Sequence, residues 1–218
     1  MLGLARAFCK KNLSLFDNLL SKESIMTDAR ANDSNRKMAV LIADAFQDSE
    51  YFLPKIEIEK MGVITEIVSL NNEPVAMWSF FDVLGTIAVD KTIDKANPED
   101  YVGVLIPGGA ESPATLSENS AVREFVAAID KQGKLIASIC RGTLLVAKSG
   151  VVEGRDITGF HDSEQFPELA IAPTVKELGG KWHDDKPVVI DRNLVSSRHP
   201  DDANAFTDAI ADWLEKHQ

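Results

Sequence analysis

The run Leu135-Ile136-Ala137-Ser138-Ile139 carries no charge and does not alternate with polar residues; it stops at Cys140 and, after Gly142, resumes as the helix-like Thr143 to Ala147. Five such residues read as a strand buried on both faces, the position of a strand inside a parallel sheet. Cys140 then falls at a strand-to-helix turn. Such a turn exposes its side chain above the sheet edge and aims unpaired helix N–H groups at it, which favours a thiolate. The plainer alternative is that Cys140 is a small buried apolar residue, a common fate of free cysteine.

The remainder of the chain follows the same grammar. Met38 to Ala43, Ile64 to Ser69 and Val102 to Ile106 read as strands, with helices at Ser49 to Met61, where Phe52, Leu53, Ile56 and Met61 stand near helical spacing, and at Ala121 to Lys131. Pro54 is acceptable only in the first turn of its helix, and Gly62 ends it. Pro74 to Asp90 reads as hairpin-like around Gly85. Beyond Cys140, Asp156 to Gly159 leads as a short strand to His161, Thr174 to Gly179 reads as a helix, and Pro187 to Ile190 and Leu194 to Ser197 read as strands. A last helix places Phe206, Ile210, Trp213 and Leu214 on one stripe. Strands alternating with helices predict an α/β fold, a doubly wound parallel sheet covered on both faces as an α/β/α sandwich.

Composition narrows the partners. A net charge of −11 argues against duplex nucleic acid and anionic membranes, and no apolar run is long enough to span a bilayer. Cys9 and Cys140 are the only cysteines and lack metal-ligand spacing, so neither disulfides nor a cysteine-based metal site is indicated, no cofactor is expected, and a reducing, cytoplasmic setting fits. Residues 1–36 differ: six basic and four acidic side chains give them +2, leaving −13 for residues 37–218. Leu2 to Leu20 can form a short amphipathic helix, and Thr27 to Arg36 reads as a disordered linker. This stretch is therefore expected to be an extension, or an over-extended start with Met26 as the alternative first residue, dispensable for folding of the 37–218 domain.

Open parallel sheets bind ligands beyond the carboxyl ends of their strands. Four stretches fall there: Asp44 to Glu50, Gly108-Gly109, Cys140-Arg141 and the region of His161. The N–H groups of Gly108, Gly109 and Arg141 are suited to hold a developing oxyanion, with a simple glycine-rich turn as the alternative.

From Met38 onward the chain resembles the ThiJ/PfpI superfamily, relatives of the class I glutamine amidotransferases. The matching pieces are Phe46-Gln47-Asp48-Ser49-Glu50, Tyr101 through Pro107-Gly108-Gly109, Ile139-Cys140-Arg141-Gly142, Gly154-Arg155, and Val195 through Arg198-His199-Pro200-Asp201-Asp202. The resemblance implies a flavodoxin-like fold, usually a homodimer, with a reactive elbow cysteine. It also implies glyoxalase, protein deglycase, intracellular peptidase or stress-chaperone activity on a small-molecule or peptide substrate. In that superfamily an acidic residue of the first loop shares a proton with the cysteine, and Gln47 is the position matched to it. An amide can donate to a thiolate but cannot move protons. A histidine follows the cysteine in the peptidase-like branch; here Arg141 does, a cation that favours a thiolate without accepting its proton.

Histidine can fill the gap. His199-Pro200-Asp201 resembles the element that completes the amidotransferase triad, so Cys140, His199 and Asp201 are candidate catalytic residues, with His161 as a second base or substrate contact. In the alternative, Asp201 or Asp202 caps the last helix and His199 sits in solvent. His183, in a polar stretch, is expected at the surface. Function is therefore expected to be either a cysteine-dependent enzyme acting on reactive carbonyls or amide bonds, or a non-catalytic redox sensor or chaperone-like stress protein.

Overall fold

Seven strands form the central sheet of a computed structural model that describes residues 36–161 and 170–217. The expectations for residues 1–35 lie outside the described residues. In chain order the strands of this sheet are β1 (Lys37–Leu41), β3 (Ile64–Ser69), β6 (Lys91–Thr92), β7 (Gly103–Ile106), β8 (Leu135–Ile139), β11 (Val188–Asp191) and β12 (Leu194–Ser197). In space they run β11-β12-β8-β7-β1-β3-β6, all parallel except β11, which pairs antiparallel with β12. The chain winds outward from β1 to β6, then returns to β7 on the other side of β1 and winds the opposite way. The topological switch therefore lies between β1 and β7, where the loops leaving the two strands diverge and open a crevice.

Alternation along each strand builds two cores. Ala39, Leu41, Val104, Ile106, Ile136 and Leu194 face one cluster, and Met38, Val40, Leu105, Ala137, Ile139 and Val195 face the other. Helices α2 (Ser112–Glu118), α3 (Ser120–Lys131), α4 (Thr143–Lys148) and α5 (Ala172–Glu177) supply the first side, and α1 (Asp48–Lys60) and α6 (Ala203–Lys216) the second. The stripe Phe206, Ile210, Trp213 and Leu214 is buried as its spacing predicts, each side chain contributing roughly 2 kcal/mol by removal from water. Asn119 caps α3 by accepting from the Val122 N–H at 3.2 Å.

Two local expectations are corrected. Helix α1 begins at Asp48 and passes through Pro54 in its second turn, and its buried stripe is Glu50, Tyr51, Pro54 and Ile58. The larger apolar residues at helical spacing, Phe52, Leu53 and Ile56, lie on the outer face. The helix is thus apolar on two faces, and periodicity alone could not choose between them. The hairpin of β4 (Val75–Ser79) and β5 (Asp82–Ile87) turns at Phe80 and Phe81, not at Gly85, which stands inside β5 opposite Met77 beside a register shift. Phe80 takes the positive φ of that turn, +54°, and Gln47 Oε1 accepts its N–H at 3.0 Å. With β2 (Phe46–Gln47) this hairpin makes a separate three-stranded sheet. A further two-stranded sheet joins β9 (Asp156–Ile157) to β10 (Lys181–Trp182).

Candidate active site

Cys140 sits at the end of β8 with φ of +58°, a left-handed conformation that a non-glycine residue adopts at a cost. The strain turns the chain sharply from strand into a 3-10 turn, Cys140–Gly142, and on into α4. A side chain at Gly142 would collide with the Ile106 carbonyl, its Cβ only 2.2 Å away, so the elbow presses against the end of β7 as only glycine allows. Beneath it, buried Ser138 and Thr143 hydroxyls meet at 3.2 Å, and Thr143 donates to the Thr158 carbonyl. The Phe160 N–H closes on the Cys140 carbonyl at 3.1 Å.

The partner of the sulfur is Glu50. It lies in the first turn of α1 on that helix's buried stripe, is fully buried, and stands against Cys140 across Gly108, where an added Cβ would meet Glu50 Oε2 at 2.7 Å and the Cys140 Cβ at 2.8 Å. Its Oε2 accepts the Gly108 N–H at 2.6 Å, while Oε1 has no hydrogen-bond partner among the described residues. Burial holds the Glu50 carboxyl up at about 7 from an ordinary 4.5, against the pull of the Gly108 N–H and the Cys140 thiol, and the charge of Asp48 adds to the rise. Burial likewise pushes the Cys140 thiol up, reinforced by a charged Glu50, while the N–H groups of Arg141 and Gly109 donate to the sulfur and draw it back. Ionising either group disfavours ionisation of the other, so the two titrate as a pair.

Several sequence-derived positions are therefore reassigned. Gln47 donates to Asp48 Oδ1 (2.8 Å) and Ser49 Oγ (3.3 Å) and accepts from the Phe80 N–H; its amide secures the hairpin to the start of α1 and does not meet Cys140. The carboxyl that lies beside the thiol is three residues on, at Glu50. A clue was present in the sequence, since a carboxylate aligned with Tyr51, Pro54 and Ile58 on a core-facing stripe must be either paired or functional. The Gly108 N–H is committed to Glu50, leaving Gly109 and Arg141 as the donors at the sulfur. The thiol is raised by burial rather than lowered, because the elbow is closed over it.

The histidines do not form the expected triad. His199 stacks on His161 with ring centroids 5.5 Å apart and planes 28° from parallel. Among the described residues its nearest carboxylates are Asp201 at 3.7 Å and Asp202 at 3.9 Å, and Asp201 is 93% exposed. Asp202 is held instead by the Arg198 fork at 2.7 and 3.1 Å, and at the start of α6 neither aspartate makes a side-chain cap. The groups that shift the Cys140 thiol are the carboxyl of Glu50 and the N–H groups of Arg141 and Gly109; no imidazole is among them in the described residues. His183 is half-buried rather than a free surface residue, its Nε2 lying 2.6 Å from Asp156 Oδ1.

A model of the DJ-1/PfpI family matches residues 36–212. Protein/nucleic acid deglycase 2 of Escherichia coli (strain K12) is 31% identical over 172 residues, covering 79% of this chain and 94% of the relative. Deglycase TK1284 of Thermococcus kodakarensis is 30% identical over 170 residues, covering 78% and 94%. Among solved structures, Drosophila melanogaster DJ-1beta matches with a TM-score of 0.71 at 26% identity, covering 83% of this chain and 90% of its own.

Proposed function

The chain belongs to the DJ-1/PfpI family, and from that premise we propose that it is a cysteine-dependent enzyme acting on reactive dicarbonyls and on their adducts with amines. The observation that carries this reading is the closeness of Glu50 to Cys140, a nucleophile and a carboxyl whose pKa stands at about 7, closed together in one buried site. The deglycase names of two relatives support the same substrate class.

The Cys140 sulfur adds to the aldehyde carbon of a 2-oxoaldehyde, forming a C–S bond, while the carbonyl π pair moves to oxygen and takes up the proton held by Glu50. The N–H groups of Gly109 and Arg141, released from the sulfur as its charge is spent, are placed to bind that oxygen. The hydrogen left on the attacked carbon is acidified by the neighbouring ketone. The Glu50 carboxylate removes it, and reprotonation at the adjacent carbon converts the enediol into a thioester of a 2-hydroxy acid. Water then cleaves the C–S bond, giving the 2-hydroxy acid and the free thiol. From an aldehyde–amine adduct the sulfur forms its C–S bond at the same carbon as the C–N bond breaks, and the amine leaves with the proton held by Glu50.

Hydrolysis of amides fits less well. A departing amide nitrogen needs a proton donor that tracks it, commonly an imidazole bonded to the thiol, and His161 and His199 stack on each other instead. The test is turnover of methylglyoxal to lactate by the purified protein. It should proceed with the native chain and vanish in Cys140→Ser; inert methylglyoxal with Cys140 still selectively oxidised by peroxide would favour the redox-sensor alternative.

The assembly proposed with this function is a homodimer. Phe80, Phe81, Val83 and Leu84 on the hairpin, and Phe52, Leu53 and Ile56 on the outer face of α1, are exposed apolar side chains on two elements tied together by Gln47. At ~150–250 Å² for a large aromatic side chain, these residues together expose roughly 700 Å², close to the ~800 Å² per partner of a standard interface.

A further inference from the structure

The left-handed backbone of Cys140 is strained, and such a conformation persists only where its neighbours over-determine it. On the carbonyl side the neighbour is Thr158-Gly159-Phe160, the segment that follows β9 and reaches the elbow. The Phe160 N–H donates to the Cys140 carbonyl at 3.1 Å. That carbonyl shares one trans peptide plane with the Arg141 N–H, and in such a plane the two groups point opposite ways, so a single bond fixes both. The Arg141 nitrogen borders the space between the thiol and the carboxyl. A Cβ added at Gly108 would stand 2.9 Å from it, 2.8 Å from the Cys140 Cβ and 2.7 Å from Glu50 Oε2.

The segment is itself anchored from three sides. Thr158 is fully buried, and all its polar groups are bonded. Its N–H donates to Ser196 Oγ of β12 at 3.0 Å, its hydroxyl donates to the His183 carbonyl at 2.6 Å, and its carbonyl accepts the Thr143 hydroxyl of α4 at 3.0 Å. Gly159 then packs directly on Thr143. A Cβ there would meet the Thr143 Cβ and Oγ1 at 2.9 Å and Ile171 Cδ1 at 2.7 Å. Thr143 is fully buried at the first position of α4 and has little room to give way, so any side chain at position 159 must lift the segment off the elbow.

We infer that Thr158 and Gly159 are positioning residues: they hold the Phe160 N–H against the Cys140 carbonyl and so keep the Arg141 N–H turned toward the space that Cys140 and Glu50 share. They act through one peptide plane and touch no reacting atom. The inference rests on the proposed function only in taking Cys140 as the reacting group, and it does not depend on the substrate.

Alkylation of Cys140 by iodoacetamide across pH reads the sulfur directly, whether or not methylglyoxal is turned over, and amide hydrogen exchange at Phe160 reads the segment. In Gly159→Ala, alkylation at neutral pH should slow about fivefold, the worth of about one hydrogen bond, with the rate recovered at high pH. The Phe160 amide should exchange about tenfold faster. Thr158→Val keeps the shape but loses the hydroxyl and should move both readouts the same way, while Thr158→Ser keeps the hydroxyl and should restore the native profile. Thr207→Val is the control, since it loses a buried hydroxyl bond to the Ala203 carbonyl within α6, at 2.7 Å, and should leave both readouts native. A native alkylation profile in both Gly159→Ala and Thr158→Val would overturn the inference. Slower alkylation with native Phe160 exchange would do the same, as would an equal slowing in Thr207→Val. If Gly159→Ala or Thr158→Val does not fold, Ser196→Ala, which removes the acceptor of the Thr158 N–H, is read in its place.

Discussion

Glu50 and Cys140 stand 90 positions apart in the chain and meet at the carboxyl edge of the sheet, both against Gly108, whose N–H donates to Glu50 Oε2 at 2.6 Å. The crevice between β1 and β7 makes the meeting possible. Helix α1 leaves the end of β1 and lays its first buried turn across the loop that follows β7, next to the elbow after β8.

Replacing Glu50 separates the two carboxyl and amide candidates. Glu50→Gln keeps an acceptor for the Gly108 N–H but cannot shuttle a proton, and turnover of methylglyoxal should fall by about 10²–10⁴. Gln47→Ala should cost no more than a few-fold in turnover and about 1 kcal/mol of stability, through the lost bond to the hairpin. Steady-state kinetics of both variants, with His199→Ala as a third, check this; His199→Ala should stay within a few-fold of the native chain. A Glu50→Gln protein with native turnover would remove the proton shuttle from the mechanism.

The same carboxyl makes stability depend on pH. Its folded pKa of about 7 exceeds its ordinary 4.5, so between those values the native state holds a proton that the unfolded chain releases. The native state therefore loses stability as pH rises through the window. Urea unfolding should show the protein less stable at pH 8 than at pH 5 from this source, by up to about 3 kcal/mol at ~1.4 kcal/mol per unit. The raised Cys140 thiol acts above this window. In Glu50→Gln the contribution should disappear, flattening the profile.

Arg155, also buried, is a structural counterpart to the site. It donates to Asp130 at 2.7 Å, to Asn193 Oδ1 at 3.0 Å and to the Asp191 carbonyl, and Asn193 in turn donates to Asp130 and to the Lys134 carbonyl. Arg155→Ala removes the buried member of a partly exposed ion pair and leaves its acceptors behind, so it should destabilise the fold by about 2–3 kcal/mol. Denaturant unfolding measures it, with unchanged reactivity of Cys140 in the fraction that remains folded.

Phe81, 75% exposed at the hairpin turn, tests the proposed homodimer. A carboxylate placed there cannot be buried against a second copy without a large desolvation penalty. Sedimentation at micromolar concentration should give a dimer for the native chain and a monomer for Phe81→Glu. Thermal stability of the Phe81→Glu monomer should show that the domain still folds.

Much of the architecture follows from local sequence alone. Uncharged strand-length runs, one at Met38 to Ala43 and another at Leu135 to Ile139, specify strands buried on both faces, and their alternation with helices fixes a parallel sheet. A cysteine where such a strand gives way to a helix marks the reactive edge, and Gly108 and Gly109 mark the loop beside it. The three-dimensional packing decided what periodicity could not. Helix α1 offers two apolar faces, and only its seating against the second core turned Tyr51, Pro54 and Ile58 inward, which brought Glu50 rather than Gln47 to the sulfur and left Phe52, Leu53 and Ile56 outside. The partners of Arg141, His161 and His199 were likewise set by loops distant in sequence, because a side chain's hydrogen bonds depend on which backbone groups the fold delivers to it and local pattern does not encode that delivery.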